Sequence, residues 1–248
     1  MESDKIFAQR NPKWHRDEII LALDLYFNIK GSISHTNPAI IELSNLLNKL
    51  PIFKERPDSV RFRNANGVAM KLGNLLAVDP SYHGKGLNSG GKLEKEIFFE
   101  YQNRKEELRR IAKTIREAAS NPELSLKLYE IKDDIEEDHT EFREGKVLYK
   151  LHKFKERNSK LVLAKKAQHL KKYGALDCEA CSFNFQVKYG DLGKGFIECH
   201  HQVPLHQYDG FQETKLDDLV LVCSNCHRML HRGMESYKLE SLKQLMIT

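Results

Sequence analysis

The chain has no apolar run long enough to span a bilayer and no amino-terminal stretch resembling a signal peptide, which argues against a membrane-spanning or exported protein. The expected location is cytoplasmic, with no membrane partner. No internal repeat is present, so repeat architectures are excluded, and no segment is biased enough in composition to be read as disordered. The single tryptophan, Trp14, is better explained by core packing than by base stacking. Neither sign of charge dominates: 40 Lys and Arg against 35 Asp and Glu leave a net +5 over 248 residues. Total charge therefore decides nothing, and only its distribution along the chain can point to a polyanion. Cysteine is sparse, five residues in all, and in a cytoplasmic setting paired cysteines hold metal more often than they form disulfides.

Four of the five cysteines are paired in spacing, as Cys178-Glu179-Ala180-Cys181 and Cys223-Ser224-Asn225-Cys226. Each knuckle presents two sulfurs from a tight turn, so Cys178, Cys181, Cys223 and Cys226 are expected to close a tetrahedral, structural Zn²⁺ site. The competing reading, a set of buried free thiols, leaves the paired spacing unexplained. Cys199, the odd one, is read as an ordinary buried thiol. A zinc saturated by four thiolates has no room for imidazole, which leaves His200, His201, His227 and His231 for a second site that could be open.

Local pattern places that second set. Gly195 to Val203 is rich in strand formers, Leu219 to Val222 is a short apolar strand, and Ser224 to Arg232 can start a helix from the second knuckle. His227 and His231 lie four apart and share one helix face, opposite His200 and His201 on the first strand. The combination Cys-x-x-Cys, Glu-x-His-His-x-x-Pro-Leu, Asp-Asp-Leu and Cys-x-x-Cys-His-x-x-x-His over residues 143 to 232 resembles the HNH nuclease family, with its ββα-metal core, in the four-cysteine zinc form. The resemblance implies that His201 is the general base that activates water. It implies that His200, His227 and His231 hold one divalent cation, Mg²⁺ or Mn²⁺, beside the scissile phosphate. Asp218 falls where the family has an asparagine that orients the base; a carboxylate can accept the same hydrogen bond and would raise the basicity of His201. Plainer readings are a polar strand face for His200 and His201, and a helix-end or phosphate contact for His231.

The amino-terminal half reads as helical. Helices are expected from Trp14 to Ile29, from Asn37-Pro38 through Leu50, from about Asn66 to Ala77, and as one long bridging helix from Leu93 to about Ser120. Arg61, Arg63 and Asn64 sit in a loop mixing cationic, aromatic and amide side chains, suited to phosphate and base-edge contacts, and Lys92 can approach the DNA backbone. The competing reading is a solvated turn with Asn64 or Asn66 as a helix cap. Residues 121 to 142 are read as an acidic linker. Beyond it a lysine-rich stretch that includes Lys165 and Lys166 would neutralise phosphates beside the cut.

The expected fold is therefore α+β: a helical recognition domain over 1–120, the linker, and a nuclease domain over 143–248. The architecture resembles modification-dependent restriction enzymes of the 5-methylcytosine restriction protein A kind. That resemblance implies double-stranded DNA with 5-methyl- or 5-hydroxymethylcytosine as partner; a homodimer is one way to cut both strands, and the sequence does not fix the oligomeric state. Two rivals stand beside it, an HNH nicking or site-specific nuclease indifferent to base modification and a non-catalytic zinc-stapled DNA-binding protein.

Overall fold

The structure, a computed structural model, describes residues 11–53, 60–84, 91–131, 145–202, 214–232 and 238–246. The class is α+β, and the chain divides into two compact units, 1–150 and 151–248. No helix among the described residues is long and apolar enough to cross a membrane.

The first unit is built on α1 (Arg16–Asn28), which packs against α2 (Pro38–Leu47), α3 (Ala65–Val78), α4 (Lys92–Tyr101) and α5 (Lys105–Ser120). Because neighbours surround it, α1 is buried from Arg16 through Leu23 on every face, rather than along the single stripe its apolar spacing suggested. Asparagines start α2 and α3. Asn37 accepts the Ala39 N–H at 3.0 Å with Pro38 in the first helical position, and Asn64 accepts the Gly67 N–H at 2.9 Å at the head of α3.

The long helix expected over 93–120 is two helices. Its apolar residues form two sets, Ile97, Phe98 and Tyr101 in α4 and Leu108, Ile111, Ala112 and Ile115 in α5, and both are buried. A tight turn at Gln102 to Arg104, closed by Arg104 N–H to Tyr101 O at 2.9 Å, lets both helices pack on α1. Residues 121–131, expected to open a linker, carry α6 (Pro122–Glu130), which buries Leu124 and Leu128 against α5 and donates Tyr129 Oη–H to Leu50 O at 2.9 Å. The acidic run that follows, 132–144, lies outside the described residues.

Charged side chains are also part of this core. Arg63, expected at a DNA interface, is 3 % exposed, its guanidinium paired with Glu18 at 2.6 Å and bonded to the Pro12 and Lys13 carbonyls at 3.0 Å. It also lies over the Trp14 ring at 4.8 Å. The fork is spent on the protein's own interior and cannot face a duplex. Removing one partner of a buried pair strands the other charge, so Arg63→Ala is expected to cost about 3–5 kcal/mol of first-unit stability in chemical denaturation. A loss below about 1 kcal/mol would return Arg63 to the surface.

The division between the units falls within α7 (Lys146–Glu156), after Lys150. On its first-unit side, the Asp17 carboxylate caps α7 by accepting Lys146 N–H at 2.6 Å and Val147 N–H at 3.2 Å. Gly145 precedes them at φ +93°, where a Cβ would meet Asp17 Oδ1 at 2.3 Å, so both the turn and the close approach require glycine.

The second unit continues with α8 (Ser159–Tyr173), capped by Asn158 and ended by left-handed Gly174, and the short α9 (Phe185–Tyr189). β1 (Glu198–His201) and β2 (Leu219–Val222) pair antiparallel, with His200 opposite Val220 and His201 opposite Leu219. α10 (Ser224–Arg232) packs on both strands, and α11 (Leu239–Leu245) packs on α10. Ile197, all four residues of β2, Leu230, Leu239 and Leu242 form a small core together with Cys178, Cys199, Cys223 and Cys226. Strand, strand, helix is the expected order. The segment joining the strands, 203–213, with the expected Pro204-Leu205, lies outside the described residues.

Candidate active site

Two clusters of metal-binding side chains share α10. The first is Cys178, Cys181, Cys223 and Cys226, whose sulfurs all lie within 4.8 Å of one another. Sulfurs about 2.3 Å from a tetrahedral zinc stand about 3.8 Å apart. Cys181 Sγ and Cys223 Sγ are 3.7 Å apart, far too long for a disulfide, and no cysteine is oxidised. The set fits zinc.

Backbone geometry prepares each knuckle. Ser182 adopts φ +59°, turning the chain so that Ser182 N–H reaches Cys178 O at 2.8 Å. Gly193 lies against the backbone at the start of α9, where a Cβ would collide with Phe185 O. Glu179 joins the first knuckle to the sheet: its N–H donates to Leu221 O at 2.8 Å, and its carboxylate accepts the Leu221 N–H at 2.7 Å. Burial would raise the Cys178 thiol, but N–H groups of the knuckles, Cys223 first, outweigh it and favour the thiolate a metal needs. Desolvation pushes the Cys181 and Cys226 thiols up, and the buried thiol of Cys199 up to about 12, so geometry and not thiol acidity sets Cys199 apart from the zinc set.

The second cluster is imidazole and carboxylate. His200 and His201 come from β1 and are fully buried, while His227 and His231 come from one face of α10. The His200 ring lies 5.2 Å from that of His227 and 5.0 Å from that of His231, and the two α10 rings approach Nε2 to Nε2 at 3.0 Å. The three expected cation ligands are thus brought together. Glu198, two residues before His200 on β1, accepts from His227 Nδ1 at 2.6 Å and from Ser224 Oγ at 2.5 Å. A carboxylate only accepts, so His227 Nδ1 carries the proton and Nε2 is the nitrogen turned inward.

At the centre lies a group absent from the expected set. Glu156, at the end of α7, places Oε1 2.9 Å from His152 Nε2, 3.0 Å from His200 Nδ1 and 3.1 Å from His227 Nε2, with Oε2 3.3 Å from His231 Nε2. His152, Glu156, His200 and His231 offer ligand atoms that all fall within 4.8 Å of one another. Nitrogen and oxygen donors about 2.1 Å from one cation and at right angles stand about 3.0 Å apart, close to the approaches of His152, His200 and His231 to Glu156, so the donor set suits a divalent cation. The sequence signal for this pair was available, a His-x-x-x-Glu at helical spacing matching the His-x-x-x-His of α10, but it lies inside the lysine-rich stretch.

Electrostatics separates the roles. Burial pushes His200 down to about 4, leaving a neutral ring with a lone pair for a cation. His201 is also pushed down to about 4, by burial and then by the charges of His152 and Lys155, against the pull of Asp218. The expected effect of Asp218 is present in direction but outweighed. Burial would lower His227 too, yet its hydrogen bonds to Glu156 and Glu198 win and hold it up at about 9. Burial would raise Glu156, but the surrounding histidines, His152 first, hold it well below the usual carboxylate range.

These shifts set a pH dependence for the cation-free, zinc-loaded chain. Between 6.5 and about 9 the folded chain keeps a proton on His227 that the unfolded chain has lost, so stability falls as pH rises through that window. Between 6.5 and about 4 His200 and His201 stay neutral when folded and become charged when unfolded, so stability falls as pH falls. The melting temperature is expected to peak near 6.5, with the alkaline limb flattened by His227→Gln. A limb unchanged by that substitution, in scanning fluorimetry, would contradict the assignment.

The other expected residues are placed as follows. The Asp218 carboxylate accepts Lys215 N–H at 2.9 Å, while its carbonyl accepts Gln202 N–H at 2.8 Å beside His201. Lys165 Nζ donates to Leu216 O at 3.0 Å and Lys166 Nζ to Gly195 O at 2.8 Å, so both tie α8 to neighbouring loops. Arg61 is exposed, Asn64 is committed to its cap, and Lys92 is exposed with Glu96 3.5 Å away.

A family model described as HNH endonuclease matches residues 178–233, from the first knuckle to just past α10. No curated protein and no solved structure matches the chain. The match supports a nuclease function for the segment that carries both the zinc knuckles and the ββα histidines. α7, with His152 and Glu156, lies outside it.

Proposed function

We propose that the chain is a metal-dependent DNA endonuclease that hydrolyses phosphodiester bonds at His201. The observation that carries this reading is the packing of the His200, His227 and His231 rings against one another around Glu156, with His201 next to His200 on the same strand of a ββα unit. His200, His227 and His231 would hold the divalent cation. That cation would supply positive charge against the scissile phosphate and the departing 3′ oxygen. The His201 ring, neutral at physiological pH, takes the proton from the attacking water. Glu198 accepts the Nδ1 hydrogen bond of His227 and so turns Nε2 toward the site, where a bound cation would take the place of the Nε2 proton, and the Asp218 charge acts on His201 to favour the imidazolium formed after transfer.

Target choice is assigned to the first unit, with modified cytosine in duplex DNA as the feature selected, because an HNH core contacts chiefly backbone. The burial of Arg63 and the capping role of Asn64 remove two of the expected readers, and this favours, as a second reading, a nuclease indifferent to modification. Digestion of matched plasmids carrying no modification, 5-methylcytosine, 5-hydroxymethylcytosine or N6-methyladenine, with Mg²⁺ or Mn²⁺, separates the two. Cutting restricted to modified cytosine supports the first and equal cutting of all four the second. No cutting of any plasmid by zinc-loaded chain would leave a DNA-binding protein.

A further inference from the structure

We infer that Glu156 is an oxygen ligand of the cation held by His200, His227 and His231, and that it adapts this imidazole cluster to a hard cation such as Mn²⁺ or Mg²⁺. The inference rests on the reading of that cluster as a cation site, and goes beyond it in ligand identity and metal preference.

Lone pairs make the case. Glu198 accepts a hydrogen bond from His227 Nδ1–H at 2.6 Å, so Nε2 of that ring faces Glu156 Oε1 at 3.1 Å and His231 Nε2 at 3.0 Å. Three acceptor-bearing atoms this close repel one another unless a proton or a cation sits among them. Oε1 is also 2.9 Å from His152 Nε2 and 3.0 Å from His200 Nδ1, each the spacing of adjacent donors in one coordination shell. The Glu156 side chain is 6 % exposed, and a carboxylate so enclosed needs positive charge beside it. Helix geometry keeps it in place: His152 stands one turn earlier on α7, and the His201 N–H reaches Oε1 from β1 at 3.3 Å. His152 thereby positions Glu156.

Ligand chemistry gives the consequence. Imidazole alone suits zinc, nickel and copper, whereas manganese and magnesium bind through carboxylate oxygen. A three-histidine site without Glu156 would favour the former. With it, the site gains a charged oxygen at the point where the rings meet.

The test compares Mn²⁺ and Ni²⁺ binding to the full, zinc-loaded chain, by electron paramagnetic resonance for Mn²⁺ and calorimetry for Ni²⁺. Glu156→Gln is expected to weaken Mn²⁺ binding by about tenfold or more, and Ni²⁺ binding by less than about threefold. Glu156→Asp should fall between wild type and Gln for Mn²⁺. Wild-type Mn²⁺ affinity in Glu156→Gln, or an equal loss for both metals, would overturn the inference, since a carboxylate that merely holds the rings affects both alike. Circular dichroism and one zinc per chain establish folding, and if Glu156→Gln lacks zinc, Glu156→Asp is judged by the same Mn²⁺-to-Ni²⁺ criterion. His227→Ala should weaken both metals; if it weakens neither, the cation site itself is lost. If His227→Ala weakens both while Glu156→Gln weakens neither, the site stands and only its carboxylate ligand is lost.

Discussion

Cys178→Ser or Cys226→Ser is expected to yield a chain whose second unit does not fold. Each strand of the sheet has four residues, and a two-stranded sheet of that length is marginal in water. The core it supports is small, and four of its members are cysteines, three of them from the zinc set. Structural zinc contributes on the order of 10–16 kcal/mol to folding in small metal domains, as much as the whole net stability of an ordinary domain. Serine removes one thiolate and leaves three sulfurs packed without a shared charge. The expected readouts are loss of tightly held zinc by elemental analysis, loss of β1–β2 protection in hydrogen exchange, and poor soluble yield. Wild-type chain purified without zinc yet fully folded would sink the assignment. The α1-centred unit has its own core and should keep its helical signal in the same variants, which separates this loss from general misfolding.

The zinc set and the ββα histidines were legible because their information is local. Two Cys-x-x-Cys turns and a His-x-x-x-His on one helix face are short-range geometry, and β1 carries His200 and His201 side by side. Glu156 was not legible in the same way, because its role depends on α7 meeting β1 and α10, and a lone carboxylate among lysines reads as a solvated face. Arg63 misled for the complementary reason. Its neighbours Phe62 and Asn64 look like a nucleic-acid surface, while the partner that claims it, Glu18, belongs to α1. The acidic first turn of α1 gave no sequence signal of its role: Asp17 and Glu18 are buried, as a cap for α7 and as the ion-pair partner of Arg63. The break between α4 and α5 left little trace, since Gln102, Asn103 and Arg104 are acceptable in a helix and only packing on α1 demands the turn.

His201→Ala is expected to reduce single-turnover cleavage of plasmid DNA by about 10²–10⁴-fold, the usual contribution of a positioned general base. Its affinity for duplex DNA should change by less than about twofold, because a group that acts on water adds little to ground-state binding. Mn²⁺ affinity should be unchanged as well, since His201 stands beside the ligand His200 in sequence and not among the ring nitrogens that meet at Glu156. His227→Ala should lose activity by the other route. It removes a nitrogen 3.0 Å from His231 Nε2 and leaves Glu198 with Ser224 but without its histidine, so Mn²⁺ binding weakens and raised Mn²⁺ restores part of the rate. The pair of variants is the decisive comparison: rescue of His227→Ala with no rescue of His201→Ala separates holding the cation from moving the proton. Equal rescue of both by metal would place His201 among the ligands and leave the proton acceptor to be sought elsewhere around the site. The pH profile gives an independent check, because a base pushed down to about 4 keeps cleavage active well below the ordinary histidine range until cation binding fails. His201→Ala should abolish that acid-side plateau rather than shift it.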